Sequence, residues 1–149
     1  MATVLIADDN RANRHALAAL LESAGHTALV AADGREALEK TRAEHPDLVI
    51  SDVLMPLMDG YELARRLRDD AETSGTALLF YTAYFGSEEA RQLALAHGVA
   101  RVLVKPADNE VILHTVEELL ATDSDLTPAM ENLDRNRSVN PGVVAEAAA

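Results

Sequence analysis

The amino-acid sequence predicts an α/β fold in which one parallel sheet is covered by helices on both faces. Five short apolar segments alternate along the chain with five longer amphipathic segments, which is the order expected of strand–helix repeats. The short segments are continuously apolar, as is typical of parallel strands that are buried on both faces. The amphipathic segments then supply the right-handed crossover connections that consecutive parallel strands require.

The predicted strands are five apolar runs, each followed by polar or turn-forming residues. In chain order they are residues 3–7, 27–32, 48–51, 77–81 and 101–104. Ligands of such sheets bind beyond the carboxyl ends of the strands. The polar residues that directly follow the strands are therefore the first candidates for a functional site.

The predicted helices show apolar residues at helical spacing and capping signals at their ends. Residues 33–36 and 59–62 have the D-x-x-E form of a capping box and begin the second and third helices. Gly25 and Gly98 end the first and fourth helices, and the last helix spans residues 108–121. The residues predicted to face the core are Leu17, Leu20, Leu21 and Ala24 of the first helix, Leu63 and Leu67 of the third, Ala90, Leu93 and Ala94 of the fourth, and Ile112, Val116 and Leu119 of the last.

The composition of the chain restricts the classes of function. The absence of Cys excludes disulfides and thiolate metal sites. A net charge of -12 repels phosphate backbones, so direct binding of nucleic acid is not expected. The sequence contains no apolar run long enough to span a membrane, and its N-terminus lacks the features of a signal peptide. These features predict a cytoplasmic protein with no membrane partner.

Charged and hydroxyl side chains follow four of the predicted strands. They are Asp8 and Asp9 after the first strand, Asp52 after the third, Thr82 after the fourth and Lys105 after the fifth. Three adjacent carboxylates repel one another and need a cation, and oxygen ligands at a loop edge suit Mg²⁺. A carboxylate beside Mg²⁺ and an ammonium can attack phosphorus and form an aspartyl phosphate.

Each of these residues also has a purely structural interpretation. Asp8 and Asp9 could cap a helix, Asp52 could belong to a turn, and Thr82 could cap a helix. Lys105 could be a solvated surface side chain. What favours a functional site is that all of them stand at the carboxyl end of a strand, where a parallel sheet brings them together.

Four motifs resemble those of response-regulator receiver domains. They are VLIADDN at residues 4–10, DVLMPLMDG at 52–60, YTA at 81–83 and VKP at 104–106. The resemblance covers roughly residues 2–121. It implies a doubly wound, flavodoxin-like sheet of five strands in the order 2-1-3-4-5 with five helices. It also implies a signalling receiver that catalyses only its own phosphorylation and dephosphorylation.

The resemblance implies a role for each strand-end residue. Asp52 would be the phosphoacceptor, and its donor would be the phosphohistidine of a sensor histidine kinase or a phosphotransfer protein. Asp9, Asp52 and the backbone carbonyl of Leu54 would hold Mg²⁺, with Asp8 acting through a water molecule.

Thr82 and Lys105 would contact the phosphoryl group, and the Lys105–Pro106 peptide would be cis. Two positions depart from the commonest family pattern. Val102 stands where the family usually has an aromatic switch residue. Tyr84 is bulky at a position that influences how fast the aspartyl phosphate hydrolyses in the family.

Three other classes of function fit the sequence less well than a phosphoacceptor does. A phosphatase of the haloacid-dehalogenase type needs a second Asp two residues after the nucleophile, where this chain has Leu54. A flavin-binding protein needs a Ser-, Thr- or Gly-rich phosphate loop after the first strand, and Asp8 and Asp9 would repel that phosphate. A pseudo-receiver that never takes phosphate would not need the complete set of acids with Thr82 and Lys105.

Residues 122–149 are expected to form a tail or linker with a short helix near Thr127 and Pro128. They are too few for a DNA-binding effector domain, so the chain is either a stand-alone receiver or a fragment of a larger hybrid sensor or effector protein. A short amphipathic turn cannot stabilise itself and must dock, either on its own receiver domain or on a neighbouring chain. We therefore predict a homodimer in which the last helix and the tail contribute to the contact.

Overall fold

A computed structural model describes residues 1–83 and 88–124 of the chain. Its five strands are all parallel and lie in the order β2-β1-β3-β4-β5, which confirms the predicted fold class and topology. The strands are β1 (Thr3–Ala7), β2 (Thr27–Ala31), β3 (Leu48–Ser51), β4 (Ala77–Thr82) and β5 (Arg101–Val104).

Five helices connect or follow these strands. They are α1 (Arg11–Ser23), α2 (Gly34–Glu44), α3 (Gly60–Asp69), α4 (Glu88–Ala96) and α5 (Asn109–Ser124). Residues 1–116 form one compact unit, and residues 117–124 are the described part of a second unit that runs to residue 149. The predicted domain boundary at residue 121 stays a prediction. No helix within the described ranges is long and apolar enough to cross a membrane.

The three central strands form the core of the first unit. Leu5, Val49 and Leu78 are fully buried on β1, β3 and β4, because helices cover both faces of the sheet. Phe80 is also fully buried, and its ring meets the ring of Tyr61 edge-on at a centroid distance of 5.6 Å. The core therefore fixes the carboxyl ends of β1, β3 and β4 relative to one another.

The predicted capping residues begin their helices, with one difference. The side chains of Asp33 and Asp59 each accept a hydrogen bond of 2.8 Å from the backbone N–H three residues later. The reciprocal half of the capping box is different, since Glu36 accepts from the N–H of Ala32, and Glu62 pairs with arginines of its own helix. Both glutamates therefore bond groups other than the backbone N–H of the capping Asp.

Several sequence-based expectations need correction. Ala24 is exposed because α1 ends at Ser23, so Ala24 lies outside the helical face that buries Leu17 and Leu21. Leu93 is also exposed, since the buried stripe of α4 runs through Ala94, about 100° further around the helix. The second strand ends one residue earlier than predicted, and Thr82 is the last residue of β4.

Candidate functional site

Backbone hydrogen bonds between neighbouring strands place the acidic residues side by side. The N–H of Asp8 donates to the carbonyl of Ala31 at 3.1 Å, one residue beyond the end of β1. The N–H of Asp52 likewise donates to the carbonyl of Ala7 at 2.9 Å. These bonds continue the parallel ladder past the strand ends, and so the two Asp side chains emerge at the same edge of the sheet.

Asp8, Asp9 and Asp52 form an acidic cluster. One carboxylate oxygen from each of the three lies within 4.8 Å of the others. Asp8 is buried, Asp9 is exposed and Asp52 lies between these extremes, so the cluster opens to solvent on the side of Asp9. Closely spaced carboxylate oxygens with one open side fit the ligand preferences of Mg²⁺, which retains several waters when it binds to protein.

Lys105 is the cation that faces this cluster. Its Nζ donates to Asp8 Oδ2 at 2.7 Å and to Asp52 Oδ2 at 3.0 Å, and these three side chains are at most 16% exposed. Burial disfavours the charged ammonium, but the hydrogen bonds to Asp8 and Asp52 outweigh it and raise the pKa of Lys105 above its ordinary value. Lys105 is therefore positively charged at neutral pH.

The second oxygen of each buried carboxylate is held by the backbone. Asp8 Oδ1 accepts from the N–H of Asn10 at 2.8 Å, and Asp52 Oδ1 accepts from the N–H of Val53 at 2.7 Å. Asn10 in turn caps α1 by accepting from the N–H of Asn13. Both carboxylates are thus oriented before any ligand arrives, which lowers the cost of binding one.

The other residues singled out in the sequence lie around this edge. Thr82 is fully buried, and its carbonyl accepts from the N–H of Lys105 at 2.9 Å, which links the ends of β4 and β5. The Lys105–Pro106 peptide is cis, as expected. Leu54 is 50% exposed on the loop after Asp52.

Of the two positions that depart from the family pattern, the structure describes Val102 but not Tyr84. Val102 is half-buried and packs against the core cluster, so an aliphatic side chain fills the place of the expected aromatic one. Tyr84 lies in residues 84–87, outside the described residues. Its proposed effect on hydrolysis therefore stays a prediction.

Two residues near the site were not given a role from the sequence. Arg14 Nη1 donates to the backbone carbonyl of Asp8 at 2.8 Å, one helical turn beyond Asn10. The hydroxyl of Tyr81 accepts from the N–H of Ala107 at 3.1 Å, and its ring centre lies 5.5 Å from Lys105 Nζ. The sequence did contain a signal for each residue. Arg14 is a long cationic side chain in the first turn after Asp8 and Asp9, and Tyr81 is an aromatic residue near the end of β4.

Comparison with known proteins agrees with this geometry. The family described as response regulator receiver domain matches residues 4–117. Protein PilH of Pseudomonas aeruginosa is 36% identical over 121 residues, which cover 81% of this chain and 99% of PilH.

Solved structures show the same relationship. The chemotaxis response regulator CheY4 of Vibrio cholerae has a TM-score of 0.75 and 38% identity, covering 80% of this chain and 98% of CheY4. The receiver domain of the sensor histidine kinase PA1611 from Pseudomonas aeruginosa PAO1 has a TM-score of 0.74 and covers 80% of this chain and 98% of its own; at 23% identity it supports the fold alone. With strand order, acidic edge and family match in agreement, this chain belongs to the response regulator receiver domain family.

Proposed function

We propose that Asp52 is the phosphoacceptor of a two-component phosphorelay. Receiver domains are signalling domains that work with histidine kinases. The observation that carries the proposal is the position of Lys105, whose ammonium bonds both Asp8 and Asp52 at a solvent-accessible edge of the sheet. A carboxylate held in this position can attack a phosphoryl group. The neighbouring ammonium then compensates the negative charge that the phosphoryl group adds.

The reaction transfers one phosphoryl group. A carboxylate oxygen of Asp52 forms a bond to phosphorus while the bond from phosphorus to the imidazole nitrogen of the donor histidine breaks, and that nitrogen keeps the bonding electrons. Lys105 compensates the charge on the transferred group, and the hydroxyl of Thr82 donates a hydrogen bond to one of its oxygens. The departing nitrogen takes a proton from water, so that the products are an aspartyl phosphate and a neutral histidine.

We assign the acidic cluster to Mg²⁺. Asp9, Asp52 and the backbone carbonyl of Leu54 would hold the ion, and Asp8 would act through a water molecule. When bound, Mg²⁺ neutralises charge on the phosphoryl oxygens. Three carboxylate oxygens within 4.8 Å of one another, with the side of Asp9 open to solvent, support this assignment.

Phosphorylation of Asp52 would alter a surface that a partner protein binds, so the chain would act as a switch. The donor would be a sensor histidine kinase or a phosphotransfer protein, and we place the reaction in the cytoplasm. Sensor protein EvgS of Escherichia coli is 36% identical over 132 residues, which cover 89% of this chain but 11% of EvgS. A receiver segment of a larger hybrid protein is therefore the second candidate, and it would use the same site chemistry.

Small-molecule phosphorylation tests the proposal without a cognate kinase. Incubation with acetyl phosphate and Mg²⁺ should add one phosphoryl mass to the chain, and Asp52→Asn should not gain it. Asp47→Asn is the matched control, because Asp47 precedes β3 and bonds the backbone of Thr3 instead of the cluster. A pseudo-receiver would leave the parent chain unmodified. Full-yield modification of Asp52→Asn would show that another residue is the acceptor.

A further inference from the structure

We propose that Gly34, the first residue of α2, is a positioning residue for the site. The absence of its side chain lets the backbone of residues 53–59 lie in the place that Mg²⁺ binding and phosphorylation require. This inference rests on the proposed function, since the loop begins directly after Asp52 and carries Leu54. Gly34 lies on a different element from the residues of the acidic cluster and touches none of the reacting groups.

The loop after Asp52 is short and internally constrained. Its base is closed by the N–H of Gly60, which donates to the carbonyl of Val53 at 2.7 Å. Its tip turns through a bond of 2.7 Å from the N–H of Met58 to the carbonyl of Pro56. Leu57, which lies between Pro56 and Met58, has a φ of 70°, in a left-handed region that a Leu side chain disfavours. Because these bonds tie its short backbone together, we expect a displacement of Met58 to move the rest of the loop.

Two glycines from different elements fit against the two ends of this loop. A Cβ on residue 34 would fall on the carbonyl oxygen of Met58 and lie 3.0 Å from its carbonyl carbon and its Cβ. A Cβ on Gly60 would lie 2.6 Å from the carbonyl oxygen of Asp52. The nearest atom in each case is a backbone carbonyl oxygen, which cannot rotate away as the end of a flexible side chain would.

Helix preference alone does not account for Gly34. Alanine is the better helix former, and glycine costs conformational entropy in a helix. The close approach of Met58 supplies the reason for glycine at this position. An alanine would push the loop by about 1 Å, and a misplacement of that size lowers the rate of a positioned reaction by up to about 100-fold.

The test compares Gly34→Ala with the parent chain by two measurements. One is the dissociation constant of Mg²⁺ from isothermal titration calorimetry, and the other is the initial rate of Asp52 phosphorylation by acetyl phosphate at saturating Mg²⁺. We expect Mg²⁺ affinity to fall about tenfold, and the saturated rate to fall between about 10- and 100-fold. Gly75→Ala is the matched control, because a Cβ at that exposed turn has no neighbour within 4 Å.

A second control separates loop displacement from simple loss of stability. Val4→Ala removes buried volume near the amino end of β1, at the opposite edge of the sheet from the loop and outside the core cluster that includes Val53 and Met55. It should leave both measurements unchanged. All four proteins are measured in sucrose, which favours the folded state and keeps destabilised variants measurable. If Gly34→Ala matches Gly75→Ala, or if Val4→Ala shows the same losses, the inference is wrong. If the parent itself neither binds Mg²⁺ nor accepts phosphate, the proposed function fails instead.

Discussion

Replacing Lys105 by Met tests the electrostatic arrangement of the site most directly. Met has a similar length and no charge, so the substitution removes the ammonium while it keeps most of the side-chain volume. It leaves Asp8 and Asp52 facing each other without the donor that both now share at 2.7 and 3.0 Å. The variant should therefore be less stable than the parent and more dependent on a bound cation.

The expected magnitude follows from the burial of the three side chains. Removing one partner of a buried ion pair costs about 3–5 kcal/mol. The cluster opens to water at Asp9, so we expect the lower end of that range, about 3 kcal/mol, which for a domain of this size lowers the midpoint of thermal unfolding by about 10 °C. Mg²⁺ can replace the lost charge, and a tenfold gain in its affinity would restore about 1.4 kcal/mol.

Thermal unfolding with and without millimolar Mg²⁺ measures both effects. Lys40→Met is the matched control, because Lys40 pairs with Glu36 at 3.0 Å but both side chains are 40% exposed. Exposed pairs contribute only about 0.2–1 kcal/mol. The bond from Lys40 Nζ to the carbonyl of Val30 adds about 1 kcal/mol. Lys40→Met should therefore lose less stability than Lys105→Met and show the parent's response to Mg²⁺. The reasoning is refuted if Lys105→Met melts like Lys40→Met, or if Mg²⁺ raises the midpoints of Lys105→Met and the parent equally.

Four further predictions concern other parts of the chain. Millimolar Mg²⁺ should raise the melting temperature of the parent because it relieves carboxylate repulsion; an equal rise in Asp9→Ala would contradict a metal role for Asp9. The hydrogen bond from Ala32 and the pairing with Lys40 lower the pKa of Glu36, so its contribution to stability is present above the ordinary value of 4.5 and lost as pH falls through the lowered pKa. Lowering the pH should therefore reduce the free energy of unfolding of the parent more than that of Glu36→Gln. An equal reduction in the two proteins would contradict this contribution of Glu36. Tyr84 should cover the path of the attacking water, so Tyr84→Ala should shorten the lifetime of the aspartyl phosphate; an unchanged or longer lifetime argues against it. Sedimentation should show a dimer for the full chain and a monomer for a version ending at Ala121, whereas two monomers at tens of micromolar would exclude the tail as an assembly element.

Local patterns were sufficient for much of the fold. Continuous apolar runs identified all five strands, because a parallel sheet covered on both faces leaves no polar alternation in its strands. Asp33 and Asp59 marked helix starts, because a capping side chain reaches only the next turn of its own backbone. Periodicity was less reliable at helix flanks: Ala24 and Leu93 fit the apolar stripes but are exposed, since helix ends and rotation depend on what packs against them.

The sequence by itself determined which residues stand at the sheet edge, since parallel strands all end on the same side. Only the tertiary structure decided how those residues pair. Lys105 reaches Asp8 across 97 positions and Asp52 across 53, and Arg14 bonds a carbonyl where its sequence position indicates only a helix surface. The close approach of Gly34 to Met58 could not be predicted from the sequence either, because the distance between two backbones depends on how a helix and a loop from separate repeats pack. Short-range rules set the order of elements, whereas ångström-scale distances between them arise from packing of the whole core.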